Sequence, residues 1–325
     1  NQSKTGNALY HRTGKRTGVI VITGSAPRQY RREGENEARW RIAIHVRVSQ
    51  PIREYTSVAV NWTNRTLVFT NSPLLISRTD TGMMAGLDRG CVHTLATSDN
   101  IFLDIPQPSV KEMDEYKRLQ RKLARQDKTN EKRGGRNAKF TSKSRKRTLQ
   151  AMRRIQRRID NRKDDWIAKT TTMLVREYDF IAMERLNVKA MSRSVRPKPD
   201  PDNPGHYLHN GRKRKSGLNR SILANRWTDI LHCLEYKTKL AGTRLVQVPA
   251  YDTSRICNVC GYCDKNNRES QAVFHCHNCG HETNADVNAA KNILNRALGT
   301  NGMDDAEEWR QPVRQPVQAG GGHCQ

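Results

Sequence analysis

Two paired-cysteine motifs constrain the fold of this chain more than any other feature. Cys257 and Cys260 form one CxxC, Cys276 and Cys279 form the second, and fifteen residues separate the pairs. Two such knuckles present four thiolates to one ion, so the spacing predicts a structural zinc site. The same segment contains rival ligands, which the paired spacing leaves in second place: Cys263, His275, His277 and His281.

An acidic residue follows the cysteines closely. Asp286 lies seven residues after Cys279, at the start of an apolar-periodic helix. A zinc ribbon that leads directly into an acidic helix start suggests a small module inserted into a metal-dependent enzyme core.

The charge of the chain predicts a polyanionic partner. Its 325 residues, enough for two or three domains, include 58 Lys and Arg against 32 Asp and Glu, a net charge of +26. Nucleic acid is the usual partner of such a chain, and an anionic membrane surface is the alternative.

No apolar run reaches the length of a transmembrane helix, and no signal peptide is visible. Four of the eight cysteines belong to the metal motif. We therefore expect a reducing compartment, the bacterial cytoplasm, with association to the nucleoid. The chain begins at Asn1 without a Met, and we expect that residues upstream of it are missing.

The first 80 residues read as a small β domain. From Trp40 to Val48 apolar and polar residues alternate, which predicts a half-buried strand. Further strands are predicted at Ser57–Trp62 and Thr66–Thr70. The basic face of this domain could hold a phosphate backbone, and a merely solvated outer face explains each single Arg equally well.

Buried strands that end in carboxylates begin at residue 82. The run from Gly82 to Asp88 is followed by strand-like segments at Val92–Thr97 and Ile101–Ile105, and Asp179–Glu184 repeats the strand-and-acid pattern. Three antiparallel strands with an aspartate on the first are typical of the opening of an RNase H-like core.

Residues 109–177 are predicted to be two helices, with a break at Gly134-Gly135. Between Lys117 and Lys163 there are 20 Lys or Arg against 3 acidic residues. A charge run is usually a solvated face, but this density exceeds what solubility needs and favours nucleic-acid binding. The predicted contacts are all basic: Arg118, Arg121, Lys122, Arg125, Lys143, Arg145, Lys146, Arg147, Arg153, Arg154, Arg157 and Arg158.

Three further segments complete the chain. Residues 192–220 are Pro-rich and basic, and we predict a mobile loop that could act as a lid. Ser221 is predicted to cap a helix whose apolar face extends from Ile222 to Leu234. Residues 299–325 are polar and predicted to be disordered.

Three carboxylates in the order Asp88, Glu184 and Asp286 are the candidate catalytic residues. Carboxylates that converge on one point repel one another unless cations occupy it, and their hard oxygens suit Mg²⁺. Two cations about 4 Å apart can activate a water and stabilise the leaving 3′ oxygen in phosphodiester hydrolysis. The alternative is that each acid is a surface or capping residue, which is a real possibility for Asp286 at a helix start.

From about residue 40 to 296 the chain resembles the TnpB family, the transposon-encoded RNA-guided DNA endonucleases related to type V CRISPR effectors. The resemblance rests on Gly86–Gly90, Met183–Val188, Thr253-Ser254, the cysteine ribbon and Asn284–Ala290, of which the last is the most specific.

The resemblance implies a multidomain α/β protein. Its parts are a wedge-like, barrel-like β domain at 1–80, a RuvC nuclease core at 81–250 with the basic hairpin 109–177, a zinc ribbon at 251–283, and a last RuvC helix at 284–298. The implied cofactors are two catalytic Mg²⁺ and one structural Zn²⁺, and the implied partners are a guide RNA and a target DNA.

The resemblance also implies roles. Asp88 would bridge both magnesium ions, with Glu184 and Asp286 completing one site each. The basic hairpin would contact the guide–target heteroduplex, and the β domain would hold the RNA scaffold. The chain departs from the family near its N-terminus, where family members normally carry a helical recognition region, because the residues that precede Asp88 read as strands. We expect this region to be absent, to be very short, or to lie upstream of Asn1.

Three alternatives stay open. The chain could be a compact type V CRISPR effector, which sequence does not separate from the first hypothesis. It could be an RNA-guided DNA-binding repressor without cleavage, which would be expected to lose an acid of the triad. A transposase of the DDE type shares the fold, but its acids run Asp, Asp, Glu, whereas the order here is Asp, Glu, Asp.

Overall fold

The computed structural model describes residues 7–25, 39–48, 51–62, 65–134, 142–203 and 205–300. The chain divides into two compact units, Asn1–Leu75 and Ile76–Gln325. Most of the tail predicted to be disordered, residues 301–325, lies outside the described residues.

The first unit is made of antiparallel strands. Its elements are β1 (Ala8–Arg12), β2 (Thr17–Ser25), β3 (Arg39–Arg47), β4 (Ser57–Asn61) and β5 (Thr66–Thr70). The first three strands form one sheet in the order β1-β2-β3, and β4 pairs with β5 in a separate hairpin. Tyr55, just before β4, donates its hydroxyl to the carbonyl of Ala8, so a side chain fastens the hairpin to β1.

The alternation in β3 produces less burial than the sequence predicts. Ile44 and Val46 are half-buried, but Trp40 and Ile42 are 40% and 46% exposed. The strand β3 lies at the edge of the three-stranded sheet. The Trp40 ring lies over the backbone of Gly24 on β2 instead of entering a core.

The second unit carries a mixed sheet surrounded by helices. Its elements in chain order are β6 (Met84–Asp88), β7 (Leu95–Thr97), β8 (Phe102–Leu103), α1 (Val110–Gly134), α2 (Lys143–Glu177), β9 (Phe180–Arg185), α3 (Val188–Met191), β10 (Lys198–Pro199), β11 (Tyr207–Leu208), α4 (Arg212–Ala224), α5 (Trp227–Ala241), β12 (Arg244–Pro249), β13 (Val273–His275), β14 (Glu282–Asn284) and α6 (Ala285–Thr300).

The central sheet has the strand order β12-β9-β6-β7-β8. The strands β12, β9 and β6 are parallel, whereas β7 and β8 continue antiparallel from β6. The parallel strands β6 and β9 are nearly continuous apolar runs because helices cover both faces of the sheet. One face packs Leu87, Ile181 and Met183 against α2 and α5, and the other packs Phe180 and Ala182 against α6.

The basic hairpin is an antiparallel helix pair made of α1 and the long α2. Leu119, Ile155 and Ile159 are buried between the two helices. A bidentate pair joins Arg162 on α2 to Glu112 in the first turn of α1, at 2.6 and 2.8 Å. None of the helices that the structure describes combines the length and apolarity needed to cross a membrane.

Two predictions for residues 192–224 are wrong. The predicted loop contains the short hairpin β10–β11 and the start of α4, and Ser221 lies inside α4 instead of capping a helix. The single predicted helix is broken between α4 and α5, where Arg226 has a left-handed backbone (φ 52°). The buried Asn225 side chain explains the break, because its amide donates to the carbonyl of Gly90 in the β6–β7 loop.

Candidate active site and zinc ribbon

The structure brings the three predicted carboxylates together at the carboxyl ends of the neighbouring parallel strands β6 and β9. Asp88 is the last residue of β6, and Glu184 occupies the matching position on the parallel neighbour β9. Asp286 comes from the first turn of α6, which packs on β6 so closely that Gly86 has no room for a side chain. All three acids are buried, with 9%, 8% and 6% of their surface exposed.

The carboxylates interact electrostatically. Burial, together with the negative charges of Glu184 and then Asp286, raises the pKa of Asp88 from 3.8 to about 7. Burial also raises the pKa of Glu184. Neighbouring carboxylates repel one another unless cations lie between them. Their oxygen atoms are the ligands that hard divalent ions such as Mg²⁺ prefer.

The capping explanation of Asp286 does not match its surroundings. The amide oxygen of Asn284 accepts hydrogen bonds from the backbone N–H groups of Asp286 and Val287, at 2.9 and 3.3 Å. Asn284 therefore caps the helix, and the carboxylate of Asp286 accepts a hydrogen bond from Arg268 at 2.9 Å.

Two arginines beside the carboxylates were not identified as site residues from the sequence. Arg89 is buried, and its guanidinium donates to the main-chain carbonyl of Glu184 across the sheet. Arg268 reaches Asp286 from the ribbon segment, eighteen residues earlier in the chain. Arg89 could have been noticed because it adjoins Asp88, whereas no sequence signal links Arg268 to Asp286.

The sulfur atoms of the four paired cysteines form one cluster. The Sγ atoms of Cys257 and Cys279 are 3.7 Å apart, those of Cys260 and Cys276 are 3.6 Å apart, and all four lie within 4.8 Å of one another. A tetrahedral zinc ion with Zn–S bonds of about 2.3 Å requires sulfur–sulfur distances of about 3.8 Å. The cluster fits a zinc ribbon. Among the described residues it is the only group of three or more His, Cys, Asp or Glu side chains placed closely enough to hold one ion, and the carboxylates of Asp88, Glu184 and Asp286 do not form such a group.

The two knuckles have the same backbone geometry. In each one the glycine after the second cysteine, Gly261 or Gly280, has a positive φ and donates its N–H to the carbonyl of the first cysteine at 2.9 Å. Two of the rival ligands are engaged elsewhere, His275 with Glu269 and His277 with the carbonyl of Asn266.

The predicted basic contacts lie on the surface of the helical hairpin. Eleven of the twelve are exposed, and Arg145 is half-buried and paired with Asp127 at 2.6 Å. They lie on both helices, α1 and α2.

The chain matches two family models. Residues 67–195 match the family described as "Probable transposase" (OrfB_IS605), and residues 227–293 match the family described as "Cas12f1-like, TNB domain". The two matches contain Asp88, Glu184 and all four cysteines of the ribbon as well as Asp286. The chain is thus similar to a transposase family over one segment and to a Cas12f1-like family over another.

Individual relatives agree with these models. The chain is 32% identical over 234 residues to InsQ of Escherichia coli (strain K12), named as an RNA-guided DNA endonuclease, covering 71% of this chain and 53% of InsQ. It is 44% identical over 69 residues to the CRISPR-associated endodeoxyribonuclease Cas12f1 of Sulfoacidibacillus thermotolerans, covering 21% of this chain and 16% of that protein. The predicted resemblance to the TnpB family is confirmed.

Two further facts define the extent of the similarity. The chain spans about half the length of InsQ. Among solved structures, a Cas12f1–sgRNA–target DNA complex aligns with 17% identity and a TM-score of 0.36, over 85% of this chain and 55% of that one.

Proposed function

We propose that this chain acts as an RNA-guided DNA endonuclease and hydrolyses phosphodiester bonds at Asp88, Glu184 and Asp286. The observation that carries the proposal is the convergence of these three buried carboxylates, which raises the pKa of Asp88 to about 7. The names of the relatives supply the substrate class, because InsQ is named as an RNA-guided DNA endonuclease.

The sheet supports an RNase H-like, RuvC-type interpretation of the core. The strands β6, β7 and β8 are antiparallel, β9 and β12 run parallel to β6, and an acid lies on each of the adjacent strands β6 and β9; this is the arrangement that the interpretation requires. In the same proposal, the first unit is the wedge-like domain that holds the RNA scaffold.

Two Mg²⁺ ions, when bound, would activate a water and stabilise the leaving 3′ oxygen. The chain would supply their ligands from the carboxylates of Asp88, Glu184 and Asp286. Hydrolysis would add water across the P–O3′ bond: the water oxygen would bond to phosphorus, a proton would go to the leaving 3′ oxygen, and the products would be a 5′-phosphate and a 3′-hydroxyl. The four ribbon cysteines would hold Zn²⁺ in a structural role.

The exposed basic residues of α1 and α2 support binding of the guide–target heteroduplex through its phosphates. Such contacts position a duplex without reading its sequence, which base pairing with the guide would supply. A DNA-binding protein without cleavage would not need the triad, and the complete set of three acids therefore favours the nuclease.

The test begins with sequencing of the RNA that co-purifies with the protein, followed by a Mg²⁺-dependent cleavage assay on DNA that matches the 3′ end of this RNA. We expect one RNA species and cleavage that EDTA stops. D88A should abolish cleavage and keep guide-dependent DNA binding, and D165A, which removes an exposed acid of α2, should cut normally. Absence of a specific RNA, with nicking of bare DNA, would contradict the guided mechanism.

A further inference from the structure

Thr253 is a buried residue that neither the triad nor the zinc site uses. It lies four positions before Cys257 and is 3% exposed. Its hydroxyl donates a hydrogen bond to the Oε1 atom of Glu184, 69 residues away in sequence. A hydroxyl donor on one carboxylate oxygen fixes the orientation of the group and leaves the second oxygen available to a metal ion.

The backbone around Thr253 is held by the helix that carries Asp286. The amide of Asn292 on α6 donates to the carbonyls of Thr253 and Ile256, at 2.8 and 2.6 Å. Asn288, one turn earlier, donates to the carbonyl of Ile256 at 2.8 Å and accepts from the N–H of Asn258 at 3.0 Å. Both asparagines are buried, which makes these contacts difficult to exchange for water.

The same segment is the entry to the first zinc knuckle. Ile256 pairs with Cys263 in an isolated bridge, and the N–H of Cys257 donates to the carbonyl of Tyr262 at 2.9 Å. The conformation of residues 253–258 is therefore set from two sides, by the knuckle and by α6. A change in the knuckle has a direct route to Glu184 through Thr253.

We propose that Thr253 is a positioning residue for Glu184, and that the zinc ribbon sets the geometry of the carboxylate centre through it. This inference rests on the proposed function, because it assumes that the carboxylates hold divalent cations. It assigns a role to the Thr253-Ser254 pair beyond that of a family signature, and it explains why the ribbon is inserted immediately before α6.

The first test measures metal binding instead of activity. Mn²⁺ is titrated into the purified protein in a calorimeter, and D88N is the blank, so that ions bound elsewhere cancel. T253V keeps the shape of the side chain and removes the hydroxyl, and we expect it to weaken Mn²⁺ binding about 10- to 100-fold, the usual effect of losing a residue that orients a metal ligand. T253S, which restores the hydroxyl, should recover most of the affinity.

A matched control separates positioning from stability. T243V removes another buried hydroxyl, one that donates to the carbonyl of Val175 and lies outside the carboxylate centre. We expect both T253V and T243V to lower Tm, because each removes a buried hydrogen bond. Only T253V should weaken Mn²⁺ binding. Both variants should keep the zinc content of the wild type.

The role of the ribbon is tested by combining changes. The double replacement C257S/C260S should weaken Mn²⁺ binding as much as T253V, and adding T253V to it should cost little more, because both changes break the same link. Additive effects, or equal Mn²⁺ affinity in T253V and wild type, would overturn the inference. If the wild type itself binds no more Mn²⁺ than D88N, the proposed function fails instead.

Discussion

At the scale of single residues, the carboxylate centre is a group of buried ionisable side chains. Burying them together without bound cations destabilises the fold. Asp88, Glu184 and Asp286 are each more than nine-tenths buried, and two arginines, Arg89 and Arg268, lie beside them. Buried carboxylates with raised pKa values are typical of functional sites. We therefore expect the stability of the protein to depend on pH through these residues, which carboxylates with a purely structural role would not cause.

The stability of the metal-free protein should fall as pH rises. The pKa of Asp88 is about 7 in the folded state and 3.8 as its ordinary value, so its contribution is complete below about pH 4 and lost as pH passes 7. The full effect is on the order of 4 kcal/mol. Glu184, whose pKa is also raised, acts in the same direction.

The measurement is urea unfolding in EDTA at several pH values. D88N, which stays neutral, should flatten this part of the pH profile and be more stable than wild type at pH 8. Adding Mg²⁺ at pH 8 should stabilise the wild type more than D88N. A wild-type profile that rises between pH 5 and 8 would contradict the assignment of the raised pKa.

Gly86 is a second residue-scale test, of packing instead of charge. A Cβ at this position would lie 1.9 Å from the carbonyl oxygen of Ala290, on the backbone of α6. We expect G86A to destabilise the protein by about 3 kcal/mol or more, because the helix must move away from β6. The control is G217A, at an open position inside α4, which should be neutral or stabilise by up to about 1 kcal/mol. Equal Tm values for the two variants would refute the close approach.

At the scale of elements, the ribbon depends on its metal. Its two strands, β13 and β14, pair over three residues each, and the core around Cys257 and Cys276 adds Phe274 and Ala285 as buried apolar neighbours. So little apolar surface does not hold such a segment folded, and metal binding supplies the free energy.

Replacing Cys257 and Cys260 by Ser should therefore unfold the ribbon and remove its zinc. Atomic absorption should fall from one zinc per chain to none, and proteolysis should begin within residues 251–283. The central sheet should keep its circular dichroism, since β6, β9 and β12 pack with α2 and α5. Unchanged zinc content in this variant would show that other ligands hold the ion.

At the scale of the whole molecule, the positive charge is concentrated in the helical hairpin made of α1 and α2. Of a net charge of +26, the stretch from Lys117 to Lys163 contributes 20 basic and 3 acidic residues. The structure separates exposed charges from those that hold the fold: Lys163 is buried and donates to the carbonyl of Ala224, and Arg162 pairs with Glu112.

Removing the exposed charges should weaken nucleic-acid binding through its salt dependence. The quadruple change of Arg153, Arg154, Arg157 and Arg158 to Gln should make the negative slope of log K against log salt shallower, by up to about 3.6 if all four residues contact phosphates. K169Q, on the same helix but outside the basic stretch, should leave the slope nearly unchanged. Fluorescence anisotropy with an RNA–DNA heteroduplex at several salt concentrations gives the slope for each variant. Equal slopes for the quadruple variant and K169Q would show that these four arginines of α2 do not bind the heteroduplex.

The sequence by itself determined the elements whose signals are local. Spacing identifies the CxxC pairs, and periodicity identifies the paired basic helices and the strands that carry Asp88 and Glu184. Both kinds of signal extend over only a few residues. The resemblance to the TnpB family likewise came from short contiguous blocks such as Asn284–Ala290.

Only the tertiary structure decided what depends on contacts between distant segments. The break between α4 and α5 arises because Asn225 bonds to the β6–β7 loop, and Trp40 lies half exposed over Gly24 of the neighbouring strand. Arg268 and Thr253 reach Asp286 and Glu184 across 18 and 69 residues, and no local pattern encodes such distances. Burial then raises the pKa of Asp88, because its desolvation and the repulsion from the neighbouring carboxylates exist only once the chain has folded.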